Sequence, residues 1–280
     1  MPYSTIMVLL DNSRRAYHRL EIATRLAAAQ RARLLGLPLI PQPDPGLALL
    51  RQQDRGFMDA LQARHEAAIS QMRHAFEGAA DEAPVAVEWR AVAGDPADVV
   101  RREACLADLV VAGQSDPDDD EAWIGERFVE SLLLGCGRPV LVVPYAGRFA
   151  SVGATVMVAW SGTREATRAL HDALPLLRLA RTVHVVCAPH DGGAAREREA
   201  PGEHAVASLR YHGIDATLHT LPGVAGDAAL GELLLSRAAD LGVDLLVMGA
   251  YGHARMREVV LGGVTQTLLG AMTVPVFFSH

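Results

Sequence analysis

The segment from Gly249 to Thr265 carries the strongest chemical pattern in the chain: glycines at 249, 252, 262 and 263, with His253, Arg255 and Arg257 between them. Glycine at a strand end permits a tight turn and lets backbone N–H groups face an anion closely. Gly262 and Gly263 precede a helical run, whose unpaired first N–H groups favour a phosphate. His253 and Arg255 are expected to add positive charge and ligand contacts, and Thr265 offers a nearby hydroxyl. The chemistry supported here is anion binding through main-chain amides.

Other chemistries are harder to build. The 26 basic residues are all arginine. Without lysine there is no Walker A loop, no Schiff base and no protein-kinase strand lysine. The serines and histidines lie on scattered elements, so spacing assigns no nucleophile–base set, and nothing resembles Gly-x-Ser-x-Gly. The acidic run Asp116, Asp118, Asp119, Asp120 and Glu121 lacks the central glycine and alternating ligands of a calcium loop, and reads as a solvated loop. His65 and His74 lie nine apart on a helical stretch and do not face one another. His212 and His219 are divided by a turn and a strand, so a zinc site requires the fold to gather them. No metal site is expected.

The elements that must position the glycine segment follow from a repeat with an offset of 150 residues. Thr5-Ile6-Met7-Val8-Leu9-Leu10 resembles Thr155-Val156-Met157-Val158-Ala159-Trp160, and the register holds through Ala16 and Ala166, Leu20 and Leu170, and Leu26 and Leu176. Ser13 and Thr163 stand where a hydroxyl caps the following helix. Further on, the run from Asp108 to Gly113 matches that from Asp244 to Gly249, and Pro139-Val140 matches Pro275-Val276. Strands are read near 5–10, 33–37, 85–91, 108–112 and 140–143, with helices near 14–30, 58–79, 96–106 and 124–135. The second half reads as strands near 154–160, 182–187, 214–220, 244–248 and 274–278, with helices near 164–179, 195–212, 228–241 and 264–272. Strands apolar on both faces and separated by helices imply a parallel sheet covered on both sides. The expected architecture is α/β: two tandem doubly wound domains, 1–146 and 152–280, each with a five-stranded parallel sheet. The proline-studded loop from Pro38 to Gly46 is the one long insertion in the first half and reads as a spacer.

Gly249, Gly252 and Gly262 fit the Gly-x2-Gly-x9-Gly spacing of the universal stress protein family, and the duplication resembles its tandem, Rossmann-like members. In nucleotide-binding members an Asp after the first strand contacts adenosine, and the glycine loop with its Ser/Thr holds phosphate and ribose. By this resemblance the second half would offer Ser161, Gly249, Gly252, His253, Arg255, Gly262, Gly263 and Thr265 to an adenine nucleotide such as ATP, with Mg if bound. It departs from the pattern at Ser161, where the Asp would lie, and at Gly263, where the hydroxyl would lie; Thr265 is two residues out of register. The first half keeps the Asp as Asp11 but replaces the glycine loop with the acidic run, whose carboxylates would repel a triphosphate.

Three widely spaced cysteines, Cys105, Cys136 and Cys187, without CxxC, read as buried thiols in a reducing compartment. The net charge of -7 opposes a nucleic-acid surface. Apolar runs such as 139–144 and 243–248 are too short to span a bilayer, and no signal peptide opens the chain. The expected protein is therefore cytoplasmic, non-catalytic and stress-associated, requires no cofactor, and works by binding a nucleotide and an unidentified protein partner. Its closing strands, from Val140 and Val276, are expected at an intrachain domain pairing, with a homodimer beyond that. The alternatives are a weak nucleotide hydrolase using Asp227 and Glu232, and a ligand-free interaction module.

Overall fold

The computed structural model describes residues 1–39, 55–81, 83–119, 126–188, 202–224, 226–250 and 262–280. The chain divides into two compact units, Pro2–Cys136 and Gly137–His280. The Pro38–Gly46 loop beyond Leu39 lies outside the described residues.

In the first unit, β1 (Thr5–Leu10), α1 (Ala16–Gln30), β2 (Arg33–Pro38), α2 (Arg55–Asp81), β3 (Val87–Trp89), α3 (Pro96–Glu103), β4 (Leu109–Gly113) and α4 (Glu126–Gly135) follow in order. The strands run parallel in the order β3-β2-β1-β4. β1 and β4 are buried almost throughout, as their unbroken apolar sequences require of strands covered on both faces.

The second unit contains β5 (Val140–Val143), β6 (Thr155–Trp160), α5 (Arg164–Asp172), α6 (Leu174–Leu177), β7 (Thr182–Cys187), α7 (Gly202–Tyr211), β8 (Thr217–Thr220), α8 (Asp227–Asp240), β9 (Leu245–Gly249), α9 (Gly263–Ala271) and β10 (Val276–Ser279). Its strand order is β5-β10-β9-β6-β7-β8. All pairs are parallel except β5 with β10, where Val140, Leu141 and Val142 face Phe278, Phe277 and Val276. The two closing strands thus pair as expected, and each repeat contributes five strands with flanking helices.

The repeats share one device that pattern reading left without a role. Asp108, just before β4, accepts hydrogen bonds from the backbone N–H groups of Ser4 (2.7 Å) and Thr5 (3.1 Å). Asp244, just before β9, does the same for Gly153, Ala154 and Thr155 at 2.9–3.1 Å, and for the Ser151 hydroxyl at 2.6 Å. Each carboxylate ties the entry of its repeat's first strand to the fourth strand, satisfying amides that have no ladder partner.

Two local expectations are corrected. The helix read over 164–179 breaks at Asp172, and Pro175 starts a separate short helix, because proline fits only a first turn. Thr163 does cap α5, accepting from the Ala166 N–H at 3.2 Å. Ser13 does not cap α1; its hydroxyl donates instead to Asp11 at 2.7 Å.

Candidate functional site

A cleft of about 100 Å³ opens at the carboxyl ends of the strands in the second unit. Ser161 and Thr163 stand after β6, Val186 and Ala188 at the end of β7, and Gly249 at the end of β9. Gly262 and Thr265 contribute the start of α9, and Asp227, Leu230 and Leu234 close the wall from α8. The crevice beyond strand ends is where a doubly wound sheet receives ligands.

Each predicted residue has a specific place. Ser161 is exposed, its hydroxyl 3.2 Å from that of Thr163. Gly249 is demanded by packing: a Cβ there would lie 2.5 Å from the Ala166 nitrogen and the Glu165 carbonyl carbon. Gly262 precedes α9 in extended conformation, and among the described residues no side chain caps the first amides of the helix. Thr265 is buried in the cleft wall. Gly252, His253 and Arg255 lie outside the described residues.

Asp227 was placed by sequence only in the hydrolase alternative, yet it accounts for a departure in the glycine motif. A Cβ on Gly263 would approach the Asp227 Cβ to 2.6 Å and its Oδ2 to 3.1 Å. A serine or threonine at 263 therefore cannot enter while Asp227 keeps its position. The carboxylate also sets a negative charge beside the amides that would receive a phosphate. Glu232 is exposed and does not line the cleft.

The corresponding region of the first unit is arranged differently. Asp11 and Arg19 form a salt bridge at 2.6 Å with side chains 2% and 4% exposed. The Arg19 Nε also donates to the Leu9 carbonyl at 2.7 Å. Burial alone would raise the Asp11 pKa, but the Arg19 guanidinium and the Ser13 hydroxyl hold it below the ordinary carboxylate value. Gly113 gives the guanidinium room, since a Cβ there would overlap Arg19 Nη1. In the acidic run Asp118 is exposed as expected of a solvated loop, but Asp119 is not. Asp119 is buried and accepts from the Arg14 N–H at 2.9 Å, serving the amide that leads into α1. Asp120 and Glu121 lie outside the described residues.

The Universal stress protein family matches residues 2–144 and 154–280. The chain belongs to that family. Its double match makes it a tandem member, and three solved structures reproduce the fold over nearly its whole length. A universal stress protein from Archaeoglobus fulgidus DSM 4304 is 16% identical, covers 98% of this chain and 97% of its own, and superposes with a TM-score of 0.70. A putative universal stress protein from Pseudomonas aeruginosa UCBPP-PA14 is 18% identical, with 99% and 93% covered and a TM-score of 0.59. A protein of unknown function from Pseudomonas aeruginosa PAO1 is 16% identical, with 99% and 92% covered and a TM-score of 0.59. No curated protein matches significantly. At these identities the likeness concerns the fold.

Among the described residues of this universal stress protein no group of three or more His, Cys, Asp or Glu could hold a metal ion. His219 pairs with His184 rather than with His212. Cys136 is buried, but Cys105 is exposed, contrary to the reading of three buried thiols. No helix among the described residues is long and apolar enough to cross a membrane.

Proposed function

We propose that the second repeat is the ligand-binding half of a non-catalytic, cytoplasmic stress-response protein, and that its cleft receives an adenine nucleotide. The observation that carries this reading is convergence. Ser161, Gly249, Gly262 and Thr265, from three separate segments, border one cleft at the start of α9. About 100 Å³ is less than the several hundred Å³ that enclose a drug-sized ligand, so these walls hold one portion of the nucleotide. In the first repeat the family's adenosine-contacting Asp is Asp11, which is buried and engaged by Arg19, so that repeat serves as a structural partner.

Asp227 refines the ligand. A bare triphosphate would meet its carboxylate, whereas a magnesium-bound nucleotide, or one with fewer charges, would not be repelled. A carboxylate in the cleft is also what a hydrolase would use, and phosphate release is therefore the discriminating assay.

Calorimetric titration with ATP, ADP and AMP, with and without magnesium, tests the proposal. One site per chain is expected, with ATP favoured by magnesium and no phosphate released. No heat and no thermal stabilisation would remove the nucleotide reading. Phosphate release dependent on Asp227 would replace it with the hydrolase. Light scattering that gave a mass near 29.9 kDa would remove a homodimer.

A further inference from the structure

The cleft wall formed by α8 is tied to the sheet by a polar chain that pattern reading did not anticipate. His184 on β7 and His219 on β8 place Nδ1 and Nε2 3.0 Å apart. Arg237, on α8, places Nη2 3.1 Å from Nδ1 of the same His219. All three residues are partly buried. The rings are tilted by 58° with centroids 5.0 Å apart.

Arginine stays protonated and only donates, which determines every proton in the chain. Arg237 donates to His219 Nδ1, so that nitrogen carries a lone pair and the neutral ring bears its proton on Nε2. The Nε2–H then donates to His184 Nδ1, which must also carry a lone pair. Both rings are neutral Nε2–H tautomers. A metal ion bridging the two facing nitrogens is disfavoured, because His219 Nε2 is not free to coordinate while Arg237 occupies Nδ1.

The same logic leaves no place for an added proton. On His184 Nδ1 it would face the Nε2–H of His219, donor against donor. Shifting His219 to its other tautomer would relieve that contact and create another, Nδ1–H against Arg237. A proton on His219 Nδ1 meets Arg237 directly. Each alternative brings an imidazolium beside the guanidinium.

We infer that His184, His219 and Arg237 form a proton-responsive clasp that holds α8 to the edge of the sheet at neutral pH and releases it on acidification.

Among the described residues the groups acting on the clasp are few. The charged or titratable groups acting on His184 are His219 and Arg237, and the one acting on His219 is Arg237. Asp240, on α8, reaches only Arg237, with 3.8 Å between Oδ2 and Nη1. Of the elements beside the pair, β6 offers Met157 at the position next to His184 and carries no charge. Glu203, His204 and Arg210 of α7 are not among the charges that act on either imidazole. Burial, and then the neighbouring positive charges, hold both imidazoles below the ordinary value of 6.5. A depressed histidine pKa means that the unfolded or released form binds more protons. The clasp is therefore fully effective above the ordinary value and is lost as pH falls below it through the folded values. Beyond the long contact with Asp240, the Arg237 Nε is shielded from water and meets no acceptor among the described residues.

Because Asp227, Leu230 and Leu234 of the same helix wall the cleft, acid release would also weaken ligand binding. That consequence rests on the binding role proposed above; the clasp does not, and its test needs no ligand. Long-range proton–nitrogen NMR of the full chain should show both rings as Nε2–H tautomers at about pH 7.5, titrating below the ordinary histidine range. Amide exchange in the C-terminal half of α8, corrected for intrinsic rates, should accelerate several-fold between about pH 7.5 and about pH 5. His219→Gln supplies an amide that accepts and donates without titrating, and should keep α8 protected at both pH values. Arg237→Met should exchange rapidly at both. An Nδ1–H tautomer at His219, or a wild-type rate independent of pH, would overturn the clasp. Should His219→Gln fail to fold, His219→Asn takes its place, and an acid response equal to that of the wild type in the folded variant would equally overturn the clasp.

Discussion

The turn after β1 and the turn after β6 occupy equivalent places in the two repeats, yet they contain opposite solutions to the same packing problem. After β1, Asp11 and Arg19 are buried together, and Gly113 at the end of β4 leaves space for the guanidinium. After β6 the equivalent residues are Ser161 and Ala169, and Gly249 at the end of β9 lets the backbone of α5 approach directly. Carboxylate and guanidinium are lost as a pair. Either one alone would be a buried, uncompensated charge, which costs more than removing both. The first repeat places a buried ion pair where the second packs backbone against Gly249. Each keeps a cavity at its strand ends, of about 200 Å³ beside Asp11, Asn12 and Ser13 and about 100 Å³ beside Ser161 and Gly249.

The largest effect should come from Arg19→Leu, which strands Asp11 in the interior. A loss of about 3–5 kcal/mol is expected in thermal or denaturant unfolding; a loss below about 1 kcal/mol would show that the pair is not the first repeat's anchor. In the second repeat, Gly249→Ala drives a methyl group into backbone and should cost about 1–3 kcal/mol. Gly262→Ala should cost less, about 1 kcal/mol or below as an N-cap change, because among the described residues a Cβ there meets nothing within 4 Å. Equal losses at 249 and 262 would remove the packing explanation for Gly249.

Asp227→Asn keeps the size of the side chain and removes its charge. Without magnesium, nucleotide affinity should rise by about 1–2 kcal/mol, or about five- to thirty-fold. Weaker binding would mean that Asp227 contacts the ligand favourably. A small effect is also expected at Thr163 and Ser13. Thr163→Ala should cost about 1 kcal/mol through the lost bond to the Ala166 amide. Ser13→Ala should act by another route, raising the Asp11 pKa towards the ordinary carboxylate value, which NMR titration would read. Stability held by that depressed pKa is present above the unfolded value and is lost as pH falls through the folded one.

Much of this was readable from the chain alone. The repeat at 150 residues, the strands apolar on both faces and the glycine spacing located both repeats and the family-type strand ends. The finer roles were not. Asp108 and Asp244 were visible as a matching pair, but nothing in their spacing says that their carboxylates bind the entries of β1 and β6. Asp119 looked like one of several solvated acids, and its burial against Arg14 depends on a contact 105 residues away in sequence. His219 stood near His212 in the chain, while its partner His184 comes from the neighbouring strand.

The distinction follows from the range of the forces involved. Hydrophobic periodicity, glycine at tight turns and proline at strand starts act within a few residues, so the sequence alone determined the two α/β repeats and the order of their elements. Which carboxylate is paired, which amide is satisfied and which imidazole keeps a proton depend on partners brought together from distant segments. Only the tertiary structure decided those, because the free energy of a buried charge or an unpaired donor is set by the few atoms around it.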